Sequence, residues 1–416
     1  MNIYLVTIVA MLAAEFLLGL VADILNLGAL KSNLPKEFAG IFDPETYKKS
    51  QDYTSVKTRF GILASFVGLL ALMFFLVAGG LNAVDVFVRT FGFNPLGTGT
   101  LYIGILFFLQ NLLSLPFSIY GTFVIEERFG FNRTTIKTFI ADMAKGALLT
   151  AITGIPILLV VQALFLYGGA HAWLYAWATV SVVMVGLYFV APIWIMPLFQ
   201  KFTPLEDGEL KEKIFELARK LSFPLSGIYV IDGSRRSTKA NAFFVGFGKH
   251  KRIALYDTLV SAHTIPEIVA VLGHEIGHYK KNHTLKGFFS SIAEMGLMFF
   301  LFSWFLAVPG LITALGVALP SIYAALVFFF LFYSLPQSLL GILNNYFSRK
   351  HEYEADAYAR ENLGEQEMLI SSLKKLTKTN LGNLTPHPFY VFMHYTHPPL
   401  LLRFEALRKE PKPTAK

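Results

Sequence analysis

Seven apolar runs set the terms for this chain. They fall at 3–27, 60–81, 100–124, 146–167, 173–198, 287–308 and 319–343, and Pro336 interrupts the last. About 20 apolar residues in a helix cross the hydrocarbon core of a bilayer, so each run is long enough to span. A backbone in lipid must satisfy its own N–H and C=O groups, which leaves helix as the conformation open to them. The chain is 54% hydrophobic and only 15% charged over 416 residues, too little charge to coat a water-soluble surface. The expectation is an all-α, seven-span membrane protein. The first run has no Lys or Arg before it and carries Glu15 and Asp23, so it reads as a retained span, not a cleaved signal.

An odd number of spans puts alternate loops on opposite sides. Segments 28–59, 125–145, 199–286 and 344–416 then share one side, and they hold all 36 Lys and Arg except Arg89. The positive-inside rule makes that side cytoplasmic and leaves the N-terminus outside. The net charge of +8 is thus divided by membrane side and not gathered on one module, so no nucleic-acid partner is expected. The short connection between the last two spans suits a prokaryotic inner membrane; an ER membrane is the other option. Membrane lipid is the one partner the spans themselves require.

Within 199–286 charge returns at ordinary density. Residues 210–221 predict an amphipathic helix, 228–231 a strand, and 241–245 with 252–256 two strands around the turn 246–250. Next comes Thr264-Ile265-Pro266-Glu267, a helix start with a capping box and an early proline. The helix it opens carries His274-Glu275-Ile276-Gly277-His278. At about 100° per residue, two imidazoles four apart share one face, where they can hold a zinc ion with Glu275 beside them to take a proton from water. A helix with two surface histidines is the plainer reading of the motif alone. The chain has no cysteine, so disulfides, a thiol nucleophile and thiolate ligands are excluded.

A third ligand is expected just after the seventh span, on the same side. The run 348–359 predicts a helix with Glu352 and Asp356 on one face. Glu352 is assigned as ligand and Asp356 as the acceptor that orients His274. A solvated helix laced with charge pairs is the alternative. His283 lies one residue short of the metzincin spacing, and His351 points away from the Glu352 face. Two histidines and one glutamate leave one ion an open position for water. The polar residues inside spans, Glu15, Gln110, Asn111, Gln162 and Glu294, fit a water-filled chamber, and pairing between helices explains them nearly as well.

Taken together these residues resemble the type I CAAX prenyl protease family. The resemblance is carried by His274-Glu275-Ile276-Gly277-His278; by Ser348-Arg349, Glu352, Ala355-Asp356 and Ala359 after a membrane hairpin; by Thr396-His397-Pro398-Pro399 with Arg403 downstream; by Asn241-Ala242-Phe243-Phe244; and by five leading spans. It implies a seven-span zinc metalloprotease whose helices enclose a chamber, with a zincin-type α+β domain toward the cytoplasm. It implies zinc ligands His274, His278 and Glu352, Glu275 as general base, and Asp356 and Arg403 behind the ligands. It implies that Asn241 and His397 contact substrate or stabilise the oxyanion, and that Ala242 and Phe243 bind substrate. His397 as a cap on a helix at 400–407, and Asn241 as a plain turn residue, remain the simpler alternatives. The expected divisions are a five-span domain (1–198), a zinc-protease segment (199–286), a two-span hairpin (287–343) and a C-terminal segment completing the site (344–416). The expected substrate is a peptide or protein, C-terminally lipidated in eukaryotic members. An HtpX-like quality-control protease has fewer spans. A site-2-type protease puts its metal helix inside a span, whereas this helix ends in Lys280-Lys281. A transporter or metal-binding receptor would have no use for Glu275.

Overall fold

Among the described residues, seven helices are long and apolar enough to cross a membrane, and they account for each of the seven runs. The structure, a computed structural model, describes residues 3–409 apart from 32, 246–250, 309, 312–316 and 318. The first span is α1 (Ile3–Gly28). The second, α2 (Pro44–Val77), starts well ahead of its apolar run, inside a segment expected to be loop. Asp43 starts it by accepting from the Thr46 N–H at 2.7 Å, with Pro44 in the first turn. Gly79, at φ 74°, then turns the chain into a short helix, α3 (Gly80–Arg89), also expected as loop. The third span, α4 (Pro95–Tyr120), runs on through a wide π turn over Gly121–Glu126. The fourth is α5 (Ile136–Tyr167). The fifth is α6 (Ala172–Val190), extended by a π turn and by α7 (Met196–Phe199).

The extramembrane part follows. Strands β1 (Phe202–Pro204), β2 (Leu225–Ile231), β3 (Ala242–Val245) and β4 (Lys251–Tyr256) form one sheet in the order β1-β2-β4-β3. The predicted hairpin is present, with β3 antiparallel to β4 and Phe244 opposite Ile253; its turn lies outside the described residues. β1 and β3 are the two edge strands of the sheet. Helices α8 (Glu209–Lys220), α9 (Asp257–Ala262) and α10 (Ile265–Lys280) complete the layer. Ile214 and Leu217 of α8, Ile253 and Leu255 of β4, and Ile268, Leu272 and Ile276 of α10 interlock in one buried core.

Two more spans close the bundle: α11 (His283–Ala307) and α12 (Ile322–Leu363). Pro336 does not break α12, which runs unbroken for 42 residues. At about 1.5 Å per residue it is roughly twice as long as the bilayer core is thick, so its second half must stand clear of the membrane. That half carries Glu352 and Asp356. Beyond it, α13 (Gln366–Thr379), α14 (Pro388–His394) and α15 (Leu400–Arg408) fold back over the α10–α12 junction.

The four segments expected on one side do meet. Ser50 donates to the Gly382 carbonyl at 2.9 Å, Glu37 pairs with Arg408, Glu126 with Lys239, and Asp142 takes a bidentate pair from Arg236. At the opposite end Asp85 accepts from Tyr323 and Arg89. Polar residues within the spans mostly pair. Gln162 donates to Thr100, Ser338 to Glu15 and Asn344 to Glu294. Glu15 also lines a cavity of about 480 Å³ with Asp23, Asn345 and His394.

The predicted capping box of α10 forms and is extended. Glu267 accepts from the Thr264 N–H at 2.9 Å, from the Ser371 hydroxyl at 2.7 Å and from Lys375 at 2.8 Å. Burial opposes its charge, but these donors outweigh that and hold its carboxyl at about 2. The unfolded value is 4.5, so its contribution is full above that pH and fades as pH falls toward 2. Glu267→Gln is expected to destabilise the detergent-solubilised protein by roughly 1–3 kcal/mol at neutral pH. Its melting temperature should also depend less on pH below 4.5 than that of the parent.

Candidate metal centre

The site forms where α10 crosses α12. Gly277 eases the crossing: a Cβ there would lie 3.0 Å from the Ala355 carbonyl and 3.1 Å from its Cα, so the helices would have to move apart slightly. With the helices this close, His274 and His278 of α10 meet Glu352 of α12. The two Nε2 atoms are 3.2 Å apart. Glu352 lies 3.5 Å from His274 Nε2 through one oxygen and 3.2 Å from His278 Nε2 through the other. These three residues can hold a metal ion, each offering one ligand atom.

Behind them is a buried lattice of charge. His274 Nδ1 lies 2.8 Å from Asp356 Oδ1. Arg403 of α15 forks onto Asp356 at 2.8 and 2.7 Å and reaches Glu352 Oε2 at 3.1 Å. His274, Glu352, Asp356 and Arg403 are all buried. Burial disfavours charge on His274, but hydrogen bonds to Asp356 and Glu352 reverse this and push it up to about 9. The same field favours a cation among the ligand atoms. Burial is also the main reason the Glu275 carboxyl is pushed up from its ordinary value.

His397 Nε2 lies 3.4 Å from Glu352 Oε1, and its Nδ1 is 2.9 Å from the Thr396 hydroxyl. The capping alternative fails: α15 starts after Pro399 with no side-chain cap. Phe243 and Phe244 of the edge strand line a cavity of about 380 Å³ together with Glu275 and His278. Asn241 and Ala242 do not line it. Asn241 is exposed, its Oδ1 accepts from the Ala242 N–H at 2.9 Å, and its carbonyl pairs with Tyr256. Lys239, two residues before it, is tied to Glu126 and to the Tyr53 hydroxyl at 2.9 and 2.8 Å, which fastens the start of β3 to the membrane helices.

Spacing set His283 aside as a ligand, but it is not remote. Its Nδ1 is 3.0 Å from His278 Nδ1, and its Nε2 is 2.9 Å from Glu354 Oε2. Asn282, in the left-handed region at φ 58°, makes the turn that brings it back. Tyr188 joins the cavity wall from the fifth span, and no local signal in the sequence marks it.

A seven-span bundle carrying an H-E-x-x-H helix, a glutamate on a crossing helix and a cleft beside an edge strand defines a membrane metalloprotease. Comparison with known proteins agrees. Residues 23–201 match the family described as the CAAX prenyl protease N-terminal, five membrane helices, and residues 204–411 match peptidase family M48. The chain is 37% identical to the CAAX prenyl protease 1 homolog of Arabidopsis thaliana, over 98% of each chain. It is 36% identical to CAAX prenyl protease 1 of Saccharomyces cerevisiae, over 91% of this chain and 89% of that one. The crystal structure of S. mikatae Ste24p superposes with a TM-score of 0.93 at 32% identity, covering 98% of this chain and all of that one. The chain belongs to peptidase family M48 and is a membrane metalloprotease of the CAAX prenyl protease 1 type.

Removing Arg403 leaves Asp356 and Glu352 as buried carboxylates without their shared cation. Arg403→Ala is expected to cost about 3–5 kcal/mol, read as a fall in thermal stability of the solubilised protein.

Proposed function

We propose that the chain is a zinc endopeptidase with His274, His278 and Glu352 as ligands and Glu275 as general base. The observation that carries this is the convergence of the three residues: the two Nε2 atoms are 3.2 Å apart, one Glu352 oxygen lies 3.5 Å from His274 Nε2 and the other 3.2 Å from His278 Nε2, and one ligand atom from each residue falls within 4.8 Å of the other two. Ligands about 2.0–2.2 Å from a tetrahedral zinc ion are separated by about 3.3–3.6 Å, and three protein ligands leave the fourth position open. The donor set, two imidazoles and one carboxylate without thiolate, is that of a hydrolytic zinc site.

Zinc, when bound, polarises the scissile carbonyl and lowers the pKa of water beside it. Glu275 accepts the proton of the attacking water and delivers it to the leaving amine. It lines the same cavity as His278, so its carboxylate is open to the space where both events are proposed. Asp356 accepts from His274 Nδ1–H, which keeps the lone pair of Nε2 directed at the ion. Arg403 balances the two carboxylates. His397, beside Glu352, donates to the carbonyl oxygen as it gains charge. The peptide adds to the edge of β3 as an extended strand. Asn241 meets it at the start of that edge and Ala242 along its backbone, while Phe243 takes a substrate side chain in the shared cavity.

The substrate we infer is a peptide with a prenylated C-terminal CAAX sequence, on the strength of the relatives' names. We divide the chain into a five-span domain (1–198), a metal-helix segment (199–286), a hairpin (287–343) and a closing segment (344–416). Orientation follows from charge: the metal centre and C-terminus face the cytoplasm in either a prokaryotic inner membrane or the ER.

Glu275→Gln is expected to keep its zinc and to cleave a farnesylated CAAX peptide about 10²–10⁴-fold more slowly. Undiminished cleavage would remove Glu275 from the mechanism. Equal cleavage of the same peptide without its prenyl group would remove the lipid from the specificity. A reporter fused to the C-terminus should report cytoplasm, and an external signal would invert the topology.

A further inference from the structure

His278 is held from both sides of its ring. Nε2 faces Glu352 and His274, while Nδ1 lies 3.0 Å from Nδ1 of His283. Two imidazole nitrogens at that distance share one hydrogen: one donates and the other accepts. The other end of His283 decides which. Its Nε2 is 2.9 Å from Glu354 Oε2, and a carboxylate only accepts, so the hydrogen of neutral His283 is on Nε2. Nδ1 of His283 then carries a lone pair and must accept. His278 therefore donates from Nδ1, and its Nε2 lone pair is left facing the other two ligand atoms.

We infer that His283 and Glu354 form a positioning relay that holds His278 in its ligand tautomer. The inference rests on the ligand set proposed above. It supplies a counterpart to what Asp356 does for His274: one imidazole is oriented by a carboxylate directly, the other by a carboxylate through a second imidazole. Three elements converge to build it. His278 comes from the end of α10 and His283 from the first turn of α11, after the left-handed Asn282. Glu354 comes from α12, two residues past Glu352. His283 is buried, and His351 stacks on its ring at 4.0 Å between centroids and 11° between planes, which fixes the direction of both nitrogens. A residue that served only to start α11 would need neither the stack nor the carboxylate.

The test is Zn²⁺ affinity of the full-length protein in detergent, measured by competition with a chelator. His283→Phe keeps the ring and its stack but removes both nitrogens, and should bind Zn²⁺ about 10–100-fold more weakly. Turnover should fall through kcat with KM held. Glu354→Ala should weaken Zn²⁺ binding in the same direction, and Glu354→Gln, whose amide oxygen still accepts, should recover most of that loss. Glu354 is a third exposed and outside the core, so its variants carry the test if His283→Phe does not fold. Unchanged Zn²⁺ affinity in His283→Phe and Glu354→Ala, with binding lost in His278→Ala, overturns the relay alone. Zn²⁺ binding retained in His278→Ala overturns the ligand set and the relay with it.

Discussion

The close crossing of α10 over α12 is the contact on which the rest depends. It brings the two imidazoles of one helix against the carboxylates of the other, and the absence of a Cβ at 277 leaves room for the Ala355 backbone, which a Cβ would crowd at 3.0 Å. Four buried polar side chains then stand in a space from which water is largely removed, and none would be stable there alone. Arg403 answers both carboxylates, Asp356 answers His274, and Glu352 faces both imidazoles. A half-built version of such a lattice is worse than an apolar core, so the helices are held to one relative position.

The membrane bundle supplies that position. α12 is both the last span and the arm that holds Glu352 and Asp356, so the site is rigidly coupled to the bilayer without a hinge at Pro336. Around it the loops of one membrane side are stitched together, from Ser50 to Gly382 and from Glu126 to Lys239, and the latter pair steadies the approach to the edge strand. The cleft is bordered by the protease layer through Phe243 and by the fifth span through Tyr188. The cavity thus has one wall from the membrane helices and one from the extramembrane layer.

Much of this was legible along the chain, and its limits have physical causes. The apolar runs could be read because lipid admits few alternatives to helix. Helix ends leave a weaker mark in the sequence. Asp43 starts α2 inside a polar stretch, and α12 runs through Pro336, because caps and neighbouring helices decide where a helix stops. His274, His278, Glu352 and Asp356 could be picked out because periodicity of 3.6 residues puts them on shared faces. His283 could not, since its place depends on a left-handed residue and the start of a new helix. Resemblance to the family marks Arg403 and His397; spacing does not.

Local patterns along the chain account for the number of spans, for the gathering of the charged segments at one end of the bundle and for the two pairs of residues that periodicity aligns. Each of these follows from local rules, hydropathy over about 20 residues or the pitch of one helix. Packing in three dimensions sets the pairs face to face, puts Arg403 beneath both carboxylates and backs His278 with His283 and Glu354. Those contacts join residues far apart in the chain, and the angle at which two helices cross is set by packing along their whole length, which no local pattern records.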